Sequence, residues 1–229
     1  MNIDKLLKLA DLFYKLAGAE AEKLPEDSKD LKTILKNIEE LETFNARKEY
    51  AEKNLKRLSS GSSRLVYLTD NKTVIKLASN DRGIAQNKAE ANPKMTSPFL
   101  NKIISSAKNH SWLETHFLDK ITTKEFEKLT GMDFDDFGES IRYELRHVSG
   151  NTDKSKPDNF DDVAKSELFK EMKRIGLKYK LMGGDIARIS SFGTKDGKPV
   201  LIDAGLTKEV YDKYYDDSTS DSKKSTKSK

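Results

Sequence analysis

The stretch from Leu181 to Thr207 constrains this chain more than any other part of the sequence. It contains two aspartates, Asp185 and Asp203, which lie eighteen residues apart at points where the chain is expected to change direction. Asp196-Gly197 predicts a tight hairpin turn between them, because both residue types tolerate left-handed backbone. The apolar run in Lys198–Ile202 predicts a short buried strand that ends at Asp203. A carboxylate in that position keeps its charge only if it faces a cation, a metal or backbone donors.

The same stretch resembles the catalytic centre of the protein-kinase-like fold, in the compact form of aminoglycoside phosphotransferases and of small kinase-like proteins of tailed bacteriophages. Gly184-Asp185 resembles the start of the catalytic loop, whose Asp orients or deprotonates the acceptor hydroxyl. Asp203-Ala204-Gly205 resembles the Asp-Phe-Gly segment, whose Asp binds the Mg²⁺ that bridges the ATP phosphates. The chain departs from the family pattern at Ser190, where the second metal ligand is an asparagine in the family. It also departs at Gly184, which replaces a common arginine, and at Ala204, which replaces the phenylalanine.

A second set of residues resembles the nucleotide-binding half of the same family. Gly61, Ser62 and Ser63 precede the predicted strand 65–68, and small residues there let backbone amides approach phosphates. After a turn, the strand 73–78 is interrupted by Lys76, at the place where the family has the lysine that holds the α- and β-phosphates. A lysine on the solvent face of a strand is the alternative explanation.

The next elements supply the remaining expected contacts. The helical pattern over 82–95 contains one acid, Glu90, which the resemblance pairs with Lys76; the sequence does not distinguish a structural pair from a catalytic one. The last predicted strand leads into the segment that would connect the lobes, and there the backbone of Phe117 and Leu118 would hydrogen-bond adenine. His116, just before it, is better explained as a strand or surface histidine than as a catalytic base.

The resemblance implies an α+β fold with two lobes, one a small antiparallel sheet and the other mainly helical, preceded by a helical amino-terminal segment. The expected divisions are 1–57 for the helical extension, 58–120 for the sheet lobe, 121–217 for the helical lobe and 218–229 for a disordered Ser/Lys tail. The apolar patterns predict helices and further strands. The predicted helices are 2–18, 28–42, 45–58, 82–95, 122–131, 133–147 and 163–182, and the further predicted strands are 98–104 and 111–121.

Charge and composition argue against several classes of partner. The net charge is +4, but the tail 218–229 carries four lysines against one aspartate, so the rest of the chain is nearly neutral. A concentrated basic stripe, the usual sign of nucleic-acid binding, is therefore not expected. The chain has no cysteine, which excludes disulfides and fits a reducing cytosol. No apolar run reaches the roughly 18 residues that a membrane helix needs. We expect a cytoplasmic protein, and the phage resemblance adds association with a virion.

The first predicted helix, 2–18, has an apolar stripe opposite a charged face. Three interpretations stay open for it. The helix packs on the rest of the protein, or it docks on a partner protein, or it is a leader that is removed.

The resemblance implies that the chain binds ATP and Mg²⁺ and transfers the γ-phosphoryl group to a hydroxyl of a protein or a small molecule. The expected catalytic residues are Asp185, Lys76 and Glu90, and the expected metal ligands are Asp203 and Ser190. The alternative is a pseudokinase that keeps the fold and acts as a binding or virion-associated protein. The sequence does not identify the acceptor, although the serine-rich tail offers an intramolecular one.

Overall fold

A computed structural model of the chain describes residues 25–146, 150, 153 and 155–216. The chain divides into two compact units, Met1–Lys56 and Arg57–Lys229. The predicted helix 2–18 and the predicted disordered tail 218–229 lie outside the described residues. Within the described ranges, no helix combines the length and the apolar character needed to cross a bilayer.

In the first unit, residues 25–56 form the helices α1 (Leu31–Glu40) and α2 (Phe44–Asn54). Both are capped at their starts, α1 by the side chain of Asp30 and α2 by that of Thr43. The predicted helix 45–58 is wrong at its end, because strand β1 begins at Lys56. Its sparse apolar stripe gives the last turn little to bury, and a place beside the next strand in the sheet supplies backbone partners instead.

The second unit contains a five-stranded sheet in the order β1-β2-β3-β5-β4. The pairs β2–β3, β3–β5 and β4–β5 are antiparallel. The strands are β1 (Lys56–Ser60), β2 (Arg64–Leu68), β3 (Thr73–Ala78), β4 (Ile103–Ser106) and β5 (Trp112–His116). The prediction of strands at 65–68 and 73–78 is confirmed. β5 is shorter than the predicted strand 111–121, and the predicted strand 98–104 is misplaced, because β4 overlaps it only at residues 103 and 104.

The helices that the structure describes in this unit are α3 (Asp81–Glu90), α4 (Thr123–Thr130), α5 (Phe134–Glu144), α6 (Phe160–Val163), α7 (Glu167–Tyr179), α8 (Gly183–Ile186) and α9 (Lys208–Tyr214). The predicted helices are present with shorter bounds as α3, α4, α5 and α7, whereas α6, α8 and α9 are not among the predicted ones. The predicted helix 82–95 ends at Glu90, and the predicted helix 163–182 is present as the shorter α7, with the separate one-turn helix α6 before it. The predicted hairpin is present as β6 (Phe192–Lys195) and β7 (Lys198–Leu201), and Asp196 and Gly197 adopt left-handed backbone at its turn, with φ of 50° and 72°.

The helices pack around an aromatic core. Phe126, Phe134, Phe137 and Phe192 contact one another with ring centroids 4.9 to 6.1 Å apart. Gly176 on α7 allows close approach to α5, because a Cβ at that position would lie 2.5 Å from a Leu145 methyl carbon. This core fixes α7, the helix from which the chain enters α8.

Backbone hydrogen bonds tie the segments of the two aspartates together. α7 ends at Lys180, which has left-handed backbone (φ 54°). Beyond it the amide of Met182 donates to the carbonyl of Leu206 at 3.0 Å, and the amide of Lys208 donates to the carbonyl of Lys180 at 2.7 Å. Asp185 therefore lies in the one-turn helix α8, anchored to the segment that follows Asp203.

Candidate active site

A cavity of about 500 Å³ lies between the sheet and the residues on either side of the β6–β7 hairpin, namely Ser190, Ser191, Ile202 and Asp203. Six of the residues predicted from the sequence line it, namely Lys76, Phe117, Leu118, Asp185, Ser190 and Asp203. Apolar side chains from three strands complete one wall, namely Leu58, Val66 and Val74. Residues that are far apart in the chain therefore meet at a single concave surface.

Lys76 lies at the centre of β3 and is only 7% exposed, so it is not a lysine on a solvent face. Its ammonium donates to Oε1 of Glu90 at 2.5 Å and to the carbonyl of Ile202 at 2.6 Å. The second contact places the Lys76 ammonium against the residue that precedes Asp203. A buried lysine needs such partners, because an unpaired ammonium is costly to remove from water.

Glu90 is the last residue of α3 and is 6% exposed. Its two carboxylate oxygens contact different cations, Oε1 the ammonium of Lys76 and Oε2 the guanidinium of Arg64 at 2.7 Å. α3 is positioned for this by its N-cap, because the side chain of Asn80 accepts from the amide of Gly83. Glu90 thus links α3 to two neighbouring strands of the sheet.

Arg64 is the residue of this site that the sequence interpretation missed. It begins β2, is 7% exposed, and donates to Glu90, to Oδ1 of Asn87 at 3.3 Å and to Oδ1 of Asp203. Burial acts to lower the pKa of Arg64, but the charges of Asp203 and Glu90 outweigh it and raise that pKa. The guanidinium is therefore a fixed positive charge. Strand alternation was the available signal, since Arg64 lies on the same face of β2 as the cavity-lining Val66.

Asp203 follows β7 and its side chain is 48% exposed. Desolvation acts to raise the pKa of Asp203, but the positive charges of Arg64 and Lys76 hold it well below the usual range for a carboxyl group. Asp203 is consequently ionised at any neutral or mildly acidic pH.

Asp185 has the opposite electrostatic environment. Its side chain is 25% exposed and forms an ion pair with Arg188, 3.3 Å away on the following turn. Burial raises the pKa of Asp185, and the nearby charge of Asp203 adds to this effect, whereas Arg188 opposes it. A carboxylate whose affinity for a proton has been raised is suited to accept one from a hydroxyl.

The oxygen atoms of this cavity fit a Mg²⁺ ion that is shared with a substrate. Asp203 and Ser190 both line the cavity, and Asp185 lines it nearby. Across the described part of the chain, no three His, Cys, Asp or Glu side chains form a group that could hold a metal. Mg²⁺ commonly binds one or two protein carboxylates and takes its other ligands from water and phosphate oxygens. The donors present match that mode and not an all-protein cage.

Gly61, Ser62 and Ser63 form the tip of the β1–β2 hairpin and are not among the residues that line the cavity. The tip lies against the start of α3, where the carbonyl of Ser62 accepts from the side chain of Arg82 at 3.1 Å. The hydroxyl of Ser63 is buried and donates to Gln86. Ser59, at the end of β1, lines the cavity instead.

Phe117 and Leu118 follow β5 at the edge of the cavity. The amide of Phe117 donates to the carbonyl of Lys72 at 3.0 Å, so it is already used. The backbone amide and carbonyl of Leu118 have no hydrogen-bond partner among the residues that the structure describes. Gly193 packs on this segment, because a Cβ there would lie 2.8 Å from the Cβ of Leu118. Leu118 is the residue whose backbone can pair with a bound base.

Comparison with known proteins gives a likeness to solved structures alone. No family model and no curated protein sequence matches the chain. Among solved structures, the chain is similar to the ternary complex of streptomycin, ATP and APH(2")-IIa, with 10% sequence identity and a TM-score of 0.34. The match covers 72% of this chain and 73% of that chain. A likeness of this size carries no argument about the activity, which depends on the site itself.

Proposed function

We propose that this chain is an ATP-dependent phosphotransferase of the protein-kinase-like type, which transfers the γ-phosphoryl group to a hydroxyl. In this proposal residues 58–120 form the sheet lobe and residues 121–217 the helical lobe. The cavity between the sheet and the residues on either side of the β6–β7 hairpin is the nucleotide site.

One observation carries the proposal. Lys76, Asp185 and Asp203 come from three separate segments and line one cavity, and Lys76 is held there by its 2.5 Å ion pair with Glu90. Phosphoryl transfer needs little more from a protein than positioning and charge compensation. A buried ammonium, an ionised carboxylate and a carboxylate of raised pKa around one cavity supply both.

Each charged residue has a separate role in this reaction. Lys76 binds phosphate oxygens and stabilises their charge. Asp203 and Ser190 hold Mg²⁺, which when bound neutralises the charge that develops on the phosphates. Asp185 orients the acceptor hydroxyl, and its carboxylate accepts the proton that the hydroxyl loses.

The base of the nucleotide fits between the apolar wall and the segment after β5. Val66 and Val74 provide a surface for the flat face of the base, and the unused backbone groups of Leu118 provide a donor and an acceptor for its edge. This arrangement recognises adenine by hydrogen bonds that do not depend on a side chain.

The acceptor is a hydroxyl of a protein or a small molecule. The serines of 218–229 are candidates within the chain, and the helices of the amino-terminal segment are the candidate surface for a protein partner. We place the protein in the cytoplasm, where ATP is available, or in association with a virion.

Transfer of label from γ-labelled ATP with Mg²⁺ tests the proposal, with the purified protein and a host lysate as acceptors. We expect labelling by wild type and a loss of at least about 100-fold in Asp185→Asn and in Asp203→Ala, since each removes a group that acts in the transition state. Asp70→Asn, an exposed turn residue, is the matched control and should label normally. Equal labelling by wild type and by both site variants would contradict the proposal that the chain is an enzyme.

A second function, nucleotide binding without transfer, is favoured by two observations. Ser190 is a weaker metal ligand than the amide carbonyl that the family has in its place, and Arg64 already contacts Asp203. In that case ATP raises the melting temperature of wild type but not of Lys76→Ala, and no label is transferred. A melting shift together with Asp185-dependent transfer supports the enzyme instead.

A further inference from the structure

Four charged side chains form one connected cluster beside the cavity. Arg64 contacts Glu90 and Asp203, and Lys76 contacts Glu90. Two positive and two negative charges balance, so the cluster is neutral without any bound ion. Three of its members are 6% to 7% exposed, whereas 48% of the side chain of Asp203 is exposed. Lys76 and Asp203 both line the cavity.

The guanidinium of Arg64 therefore compensates the charge of Asp203 in a position that a divalent cation would otherwise take. The guanidinium of Arg64 cannot move away from Asp203 into water, because its side chain is buried and also donates to Asn87. A divalent ion that binds Asp203 either displaces the guanidinium of Arg64 from that carboxylate or lies close to it, and in both cases it leaves the cluster with an excess of positive charge. Both arrangements oppose metal binding to the protein alone.

A nucleotide changes this balance. The oxygens of a triphosphate carry negative charge that Arg64 and Lys76 can share, and they supply metal ligands that the described part of the chain lacks. The cost of adding the ion is then offset by the phosphates.

We propose that Arg64 excludes divalent cations from Asp203 in the nucleotide-free protein, so that the metal ion enters the cavity only together with the nucleotide. The proposal rests on the proposed function only in taking Asp203 as a metal ligand and the ligand of the cavity as a nucleotide. Arg64 is in this sense a positioning residue, which acts on the metal through Asp203.

Water-proton relaxation enhancement by Mn²⁺ tests the proposal, because it detects protein-bound Mn²⁺ without any turnover. Nucleotide-free wild type should give no enhancement. Arg64→Gln should bind Mn²⁺ at least about tenfold more tightly, because the variant frees the carboxylate of Asp203 and leaves the cluster with an extra negative charge. On adding ATP, wild type should show the enhancement of a bound Mn²⁺–nucleotide complex.

Two controls locate the effect. Arg174→Gln removes one arginine from a partly exposed position that contacts Glu171, and it should behave as wild type. The double variant Arg64→Gln/Asp203→Asn should lose the gained affinity, because it removes the carboxylate that was freed. Arg64→Lys is the conservative variant, because it keeps the positive charge. One ammonium cannot reach both Glu90 and Asp203, so the affinity of this variant for Mn²⁺ should rise about threefold.

Tight Mn²⁺ binding by nucleotide-free wild type overturns the proposal. The proposal is also overturned if no Arg64 variant that keeps the wild-type circular dichroism spectrum, Arg64→Lys included, gains affinity for Mn²⁺. A gain in affinity that remains when Asp203→Asn is added overturns it as well. The failure of the proposed function has a different signature, namely no enhancement on adding ATP while Arg64→Gln still binds Mn²⁺ alone.

Discussion

The two aspartates of the cavity, Asp185 and Asp203, carry the same side chain into different environments. Asp203 faces two cations, and the positive charges of Arg64 and Lys76 keep its pKa low in spite of desolvation. Asp185 pairs with the exposed Arg188, and burial together with the charge of Asp203 keeps its pKa high. The difference shows how one cavity can hold a permanent negative charge and a proton acceptor at the same pH.

The largest change in stability is expected at Glu90, the carboxylate that holds Arg64 and Lys76, the two cations near Asp203. Glu90→Ala should lower the free energy of unfolding by about 3 kcal/mol, because it leaves Arg64 and Lys76 buried with a partner missing. Urea unfolding measures the change. Glu127→Ala, at an exposed position on α4, is the control and should change stability by less than about 0.5 kcal/mol. An equally small effect of Glu90→Ala would mean that the cluster does not hold the sheet to α3.

A smaller loss is expected at Asp203 itself. Asp203→Asn should lower stability at neutral pH by about 1 kcal/mol, because Arg64 keeps Glu90 but loses its second carboxylate, and partial exposure of Asp203 screens the pair. Thermal unfolding measures it. A loss as large as that of Glu90→Ala would show that Asp203 and not Glu90 is the main partner of Arg64.

Ser190→Asn tests whether residue 190 is a ligand of the metal ion that is proposed to bind Asp203. An amide carbonyl in place of the hydroxyl should raise the affinity for ATP about threefold when Mg²⁺ is present and should leave the affinity in chelator unchanged. Titration with a fluorescent ATP analogue measures both. An equal rise with and without metal would place residue 190 against the nucleotide and not against the ion.

The smallest effect is expected at Asp185, where substitution should increase stability instead of lowering it. Its pKa is raised on folding, so the folded state favours the protonated form, and the ionised carboxylate costs stability above that raised pKa. Asp185→Asn should therefore raise the melting temperature at pH 7 by about 2 °C. The gain should disappear as the pH falls below about 4, where the wild-type group is protonated in both states. A lower melting temperature at pH 7 would show that the ion pair with Arg188 outweighs burial.

Much of the site could be predicted from the sequence because its residues interrupt strong patterns. Lys76 breaks an apolar strand, and Asp203 ends one, so each required a charged partner. The prediction of an antiparallel sheet with helices is confirmed. The pairing of Lys76 with Glu90 is present in the structure, and its catalytic role stays a prediction.

The remaining features depend on long-range contacts that local patterns indicate only weakly. Arg64 follows serines and comes directly before the predicted strand 65–68, which is also typical of an exposed loop end. Its burial results from Glu90 and Asp203, which are 26 and 139 residues away. The helix predicted over 45–58 failed at its end for the same reason, because pairing in the sheet at Lys56 overrides a weak local preference.

The position of Glu90 at the end of α3 has a mechanical consequence. One carboxylate holds a residue from β2 and a residue from β3, so a shift of α3 by one residue's rise, about 1.5 Å, would stretch both contacts together. A displacement of α3 therefore acts on β2 and β3 together, and the helix couples the position of Arg64 to that of Lys76.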